Sequence, residues 1–216
     1  LSKKNVNKET ITEVALEILH EKGISHLTMR NVAAKLKVKA PALYWYIKNK
    51  HELLQLLADY ICSLISIPKR KDDWVEEIFE LSNNIRSVLL SIPDAAEILM
   101  DTLPVTRERL LLIEKTLEIF HRANFPEDKI FFTVTYINTY VTSYVLDEQK
   151  QQKLLDEMGT EAIRQKFITS VSDISKDDAP YIHHHFKNPD SGLKNKEDFM
   201  LGLRIIIVGI QREIGE

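Results

Sequence analysis

One cysteine, six glycines and seven prolines in 216 residues narrow the field at once. A lone thiol, Cys62, can close neither an intrachain disulfide nor a thiolate metal cluster, which excludes the stapled secreted scaffolds and points to a reducing cytoplasm. So few turn-forming residues argue against a many-stranded sheet and for long helices. The longest uncharged run, Ile130 to Leu146, is short for a bilayer span and carries Thr133, Thr135, Asn138, Thr139, Thr142 and Ser143, so no membrane segment is expected. No basic-then-apolar leader is legible before residue 10, which predicts no secretory signal. Glycine-rich phosphate loops, nucleophile elbows and paired carboxylates at metal spacing are missing as well. No enzyme, no cofactor and no metal site is therefore expected. The most informative absence is local: between Lys22 and His51 there is no Asp or Glu, yet there are seven Lys and Arg.

What is present agrees with that local bias. Residues 1–60 hold 10 basic and 6 acidic residues (+4), while 61–216 hold 19 and 26 (−7). A basic head on an acidic body suggests a nucleic-acid reader joined to something kept away from the polyanion. Ile11, Val14, Ala15, Ile18 and Leu19 give the first helix one apolar face, with Asn7 as N-cap and Gly23 as stop. Thr28 caps a second helix to about Leu36, Lys37-Val38 makes a turn with Val38 buried, and a third helix runs from Pro41 to about Tyr46. Asn49 and Glu52 have the spacing of a capping box for a fourth helix reaching about Ser66. Pro68 and the charged run from Lys69 to Asp73 mark a boundary. Further helices are predicted at about 73–92, 94–102, 105–123, 127–152, 155–172 and 196–214, with a mobile loop over Ser175–Lys196. The fold class is thus all-α: a three-helix helix-turn-helix head (1–48), a connector helix (49–67) and a larger helical body for ligand binding and dimerisation (68–216). A strand over 130–145 is the minority alternative, which the 3.6-residue repeat opposes.

In a helix-turn-helix the second helix of the pair enters the major groove while the first crosses the backbone. Thr28, Tyr44, Lys48 and Lys50 have the donors and reach for phosphate oxygens, which position the protein without reading sequence. Arg30 suits a base edge, because its planar fork matches guanine O6 and N7. Lys39 and Tyr46 can serve either purpose, and Ala40, Pro41 and Ala42 can touch thymine methyls. Within the body, the final helix carries four consecutive apolar residues, Ile205 to Val208, and the helix with Ile130, Val134, Ile137, Val141 and Val145 has a second seam at Tyr136, Tyr140 and Tyr144. Helices apolar all round must be buried on nearly every side, which predicts a homodimer through this pair, with a single monomer core enclosing both as the alternative. His183-His184-His185 point in different directions with no carboxylate at a helical partner position, so no metal site is assigned there.

The stretch Leu27-Thr28-Met29-Arg30-Asn31-Val32-Ala33, continued by Ala40-Pro41-Ala42-Leu43-Tyr44-Trp45-Tyr46-Ile47-Lys48-Asn49-Lys50, resembles the DNA-binding head of the tetracycline-repressor (TetR) family. Weaker similarity runs through Leu89-Leu90-Ser91 with Asp94, Thr102 with Pro104, and Val145-Leu146-Asp147. The resemblance implies an all-helical homodimer that represses transcription on double-stranded operator DNA until a small-molecule effector binds the body and changes the spacing of the heads. Departures from the tetracycline-binding branch carry weight. Its magnesium-ligating His aligns with Leu99, a second His with Ser66, and an Asn and a Phe with Leu81 and Ile85, while Thr102 and Pro104 persist. Without a placed imidazole a magnesium-chelated tetracycline is not the expected effector. A mostly apolar pocket is expected instead, lined by Leu81, Ile85, Leu99, Thr102, Thr116 and Tyr136. Ala40 and Ala42 stand where that branch has polar residues, so the operator should differ. An effector-independent DNA-binding regulator, or a helical protein that sequesters an apolar metabolite, remain the alternatives.

Overall fold

Asn7 opens the first helix as its spacing predicts: its side chain accepts the Thr10 N–H at 2.8 Å, and Thr10 returns a bond to the Asn7 N–H. A computed structural model of the chain describes residues 6–185 and 194–214. Its elements are α1 (Lys8–Lys22), a 3-10 turn (Ile24–His26), α2 (Met29–Lys35), α3 (Ala40–Leu43), α4 (Lys50–Ser63) and α5 (Trp74–Ser91). There follow α6 (Ala95–Met100), α7 (Arg107–Arg122), α8 (Glu127–Met158), α9 (Thr160–Ser172), α10 (Pro180–His185) and α11 (Lys196–Ile214). Among the described residues there is no strand, so the minority strand reading of 130–145 gives way to α8.

The head is α1–α3 closed over Ile11, Leu19, Leu27, Val32 and Leu43, all essentially inaccessible to solvent. Burying each such side chain stabilises by about 1.5–3 kcal/mol. Leu53, Leu57 and Ile61 give α4 a buried stripe that packs on α1 at one end and on α6 and α7 at the other. α4 therefore belongs to both the head core and the body core. In the body, α5, α7 and α8 form the central layer, α6 packs against α8, α4 and α5, and α11 packs on α8 and α5. A half-buried network fastens the layers: Arg86 of α5 pairs with Glu148 of α8 (Nε to Oε2 3.1 Å), and its guanidinium lies 5.4 Å above the Phe199 ring of α11. Tyr140 donates its hydroxyl proton to the Phe199 carbonyl at 2.7 Å. Gly202 is needed at this crossing, because a Cβ there would overlap the Tyr140 ring end.

Several boundaries differ from the sequence expectation. α3 has only four helical residues and continues as hydrogen-bonded turns to Ile47, whose N–H reaches the Leu43 carbonyl at 3.1 Å. Val38 in the preceding turn is half-buried, while Lys37 takes a left-handed φ of 59° to make that turn. α4 ends at Ser63, short of Ser66, and Glu52 accepts from the Lys48 N–H at 2.7 Å rather than from its N-cap, Asn49. α8 runs six residues past 152 to Met158, and Gly159, at φ 81°, breaks it. The expected loop over 175–196 contains α10, and its residues 186–193 lie outside the described residues. α11 is not buried on nearly every side within one chain: Phe199, Leu203 and Ile207 are, but Leu201, Ile205 and Val208 are exposed.

Candidate nucleic-acid interface and body cavity

Thr28 caps α2 by accepting the Asn31 N–H at 3.1 Å, and Asn31 in turn donates to the His26 carbonyl at 2.7 Å. These bonds fix the start of α2 and set Arg30, exposed in its first turn, outside the head core. The Val38 N–H reaches the Ala33 carbonyl at 3.0 Å, which closes the turn and presents α3 beside α2. Lys39, Pro41, Tyr44, Tyr46, Lys48 and Lys50 are exposed along one continuous stretch, while Thr28, Ala40 and Ala42 are half-buried beneath them. Among the described residues, one cation of the window is paired within the head: Lys35 lies 2.6 Å from Glu21 and 3.2 Å from Glu17. Those carboxylates hold its pKa up and neutralise it, so the remaining cations carry the positive field. Trp45 was not among the expected contacts, yet it is 88% exposed, the most of the three consecutive aromatics. Its membership of that cluster was the available signal.

The body forms a cavity of about 230 Å³, partly open to solvent, between α4, α5, α6, α7 and α8. Cys62 of α4, Ile85 of α5, and Leu99 and Met100 of α6 form one side. Pro104, Arg109, Leu112 and Ile113 form another, and α8 contributes Phe131, Val134, Thr135, Asn138, Thr139 and Thr142. Of the six residues expected at a ligand pocket, Ile85 and Leu99 line this cavity. Thr102 sits behind its wall, buried, donating to the Ile98 carbonyl at 2.7 Å and accepting from Arg109 at 2.8 Å. Leu81 and Thr116 are packed in the core away from it. Tyr136 is 57% exposed and lines a separate surface depression with Phe132, Ile205 and Gly209. At 100° per residue it stands 200° around α8 from both Val134 and Asn138, so it cannot share their side of the helix. Cys62 is buried, and desolvation pushes its thiol up to about 12, so it lines the cavity as a neutral apolar group.

On the other side of α8, Phe132 and Tyr136 share an apolar depression with Ile205 of α11, and Leu201 and Val208 of α11 are exposed in the single chain as well. The histidine run falls on α10, where His183 Nε2 lies 2.7 Å from the Ile174 carbonyl. Among the described residues no three His, Cys, Asp or Glu side chains gather at metal-binding distance, and no helix is long and apolar enough to cross a membrane.

Comparison with known proteins bears on both parts of this architecture. Residues 11–57, the head with the first half of α4, match the family model described as bacterial regulatory proteins, tetR family. Residues 67–214 match the tetracyclin repressor-like, C-terminal domain. The chain belongs to the TetR family. Among its TetR relatives, the tetracycline repressor protein class G of Vibrio anguillarum is 31% identical over 147 residues, covering 67% of this chain and 70% of that protein. The fold is shared with ActR of Streptomyces coelicolor, solved in complex with actinorhodin, at a TM-score of 0.85 and 24% identity over 99% of each chain. A TetR variant from Acinetobacter baumannii AYE, solved with minocycline, aligns at a TM-score of 0.71 and 27% identity over 98% of this chain and 96% of that one. As a TetR-family member the chain is a DNA-binding, ligand-responsive transcriptional repressor with an all-α head and body, and the family comprises regulatory proteins rather than enzymes.

Proposed function

We propose that the chain represses transcription as a homodimer that pairs through α8 and α11, and that a small apolar effector entering the body cavity releases it from the operator. Pairing is supported by the exposed apolar face on those helices, which a partner copy would cover. The two heads then meet half-sites about 34–36 Å apart on one face of B-form DNA. Thr28, Tyr44, Lys48 and Lys50 bind phosphates, Arg30 reads a base edge, Lys39 and Tyr46 support either contact, and Ala40, Pro41 and Ala42 pack on thymine methyls. The cavity wall supports an effector other than a magnesium chelate: it offers threonine hydroxyls, one amide and a guanidinium, but no imidazole or carboxylate for a hard cation.

The observation that carries this reading is the acid-free, outward-facing cation and aromatic surface on a helix-turn-helix whose α4 also forms part of the cavity wall. Selection of binding sites from a random duplex pool, followed by titration at 50 and 200 mM salt, tests it. With 6–10 phosphates contacted, affinity should fall by roughly 10³–10⁵ across that range. Failure to retain any duplex at low salt would favour a sequestering protein, and complexes that no cell-derived small molecule dissolves would favour an effector-independent regulator.

A further inference from the structure

Among the described residues, Arg109 is the only charged side chain in the cavity wall. It stands in the first turn of α7, half-buried, and its guanidinium donates to three neutral oxygens: the Thr102 carbonyl at 3.0 Å, the Thr102 hydroxyl at 2.8 Å and the Leu99 carbonyl at 2.9 Å. Two carboxylates of the same region, Asp59 and Glu108, which both act on Cys62 as Arg109 does, are bonded elsewhere. Asp59 accepts the Glu108 N–H at 2.7 Å, and the Glu108 carboxylate pairs with Arg107. No ion pair with Arg109 forms among the described residues, and burial works against its charged form. A cation withdrawn from water without a counter-charge is costly, and the missing partner is an anion.

The rest of the cavity defines what that anion is attached to. Leu99, Leu112, Ile113, Val134 and Phe131 supply an apolar bed, while Asn138 and Thr142 on α8 offer neutral polar groups. The guanidinium fork matches a carboxylate better than a single oxygen. We propose that the effector is an anionic amphiphile, a carboxylate on a compact apolar body, and that Arg109 selects for the carboxylate. This rests on the reading of the cavity as the effector site.

Calorimetric titration of the protein with matched pairs, 2-naphthoate against 2-naphthamide and decanoate against decanamide, tests it. The wild type should bind each carboxylate at least roughly ten-fold tighter than its amide, the size expected for a desolvated charge-assisted contact. Arg109→Gln should erase that preference and Arg109→Lys should keep most of it, with circular dichroism confirming that both variants remain helical. The wild-type ratio needs no variant, so it decides the matter even if either variant unfolds. Equal binding of acid and amide by the wild type overturns the selectivity while leaving the cavity as a binding site. A preference that survives in Arg109→Gln removes Arg109 from the role. Absence of binding by all four probes overturns the cavity reading itself, and the selectivity with it.

Discussion

Arg30 and Lys50 are both exposed cations of the head, but they differ in what their chemistry can distinguish. A guanidinium fork can separate guanine from the other bases, whereas an ammonium meets every phosphate alike. Arg30→Ala should weaken operator binding by ~1–3 kcal/mol and relax preference at one position, seen as a flattened column in a selection experiment. Lys50→Ala should weaken all duplexes about equally and lower the salt slope by about 1. Identical effects from the two substitutions would show that Arg30 only touches the backbone. Cys62 makes a separate prediction. Burial disfavours its thiolate, so the folded chain keeps the proton up to about pH 12, whereas an unfolded thiol loses it near 8.5. The stability linked to this group is intact below the unfolded value and declines as pH rises from there towards 12. At pH 8 the thiol should react with a disulfide reagent at the rate of chain opening; fast stoichiometric labelling of the native protein would contradict this placement.

At the scale of elements, Asp94 joins two parts that sequence treats separately. It precedes α6 with a left-handed φ of 57°, and instead of capping that helix its carboxylate accepts the Ile24 N–H of the head at 2.7 Å. Asp94→Ala should therefore cost about 1.5–3 kcal/mol and speed hydrogen exchange at Ile24. Asp94→Asn, which keeps an acceptor and tolerates the left-handed backbone, should cost less; equal losses would mean that backbone strain, not the bond, sets the effect. The helices themselves were legible because their apolar residues repeat at 3.6, and the head because its turn, caps and charge bias coincide. What escaped had no periodic signature. Past Gln149, whose amide still bonds the Leu89 and Ile92 carbonyls, α8 leaves the core and its mostly polar residues keep no stripe, so the helix outlasts its pattern to Met158. α10 is a six-residue helix in a polar, proline-containing segment. Arg109 and the α8 residues of the cavity are set by which side of each helix faces a gap, and a single sequence does not encode gaps.

For the whole molecule, the question is why a chain with a well-buried core leaves Phe132, Tyr136, Leu201, Ile205 and Val208 open to water. Scattered apolar side chains on a surface need no explanation, but two adjoining helices sharing one such face do. If that face belonged to a monomer's surface, Ile205→Glu would be nearly neutral, within about ±0.5 kcal/mol, because the side chain is 65% exposed and touches little of its own chain. If it is the dimer seam, the same substitution buries a carboxylate against its own symmetry copy, since a twofold interface repeats every change on both sides. The protein should then run as a folded monomer by light scattering with unchanged helical signal. Operator affinity should also collapse, because each head alone contacts one half-site and forfeits the gain of tethering two. A dimer that persists in Ile205→Glu would place the seam elsewhere, whereas a monomer that still holds the full operator as tightly as the wild type would show that one head suffices. The expected pairing of both losses ties the exposed face of the body to the spacing of the heads, and makes α8 and α11 as necessary for reading DNA as the basic window itself.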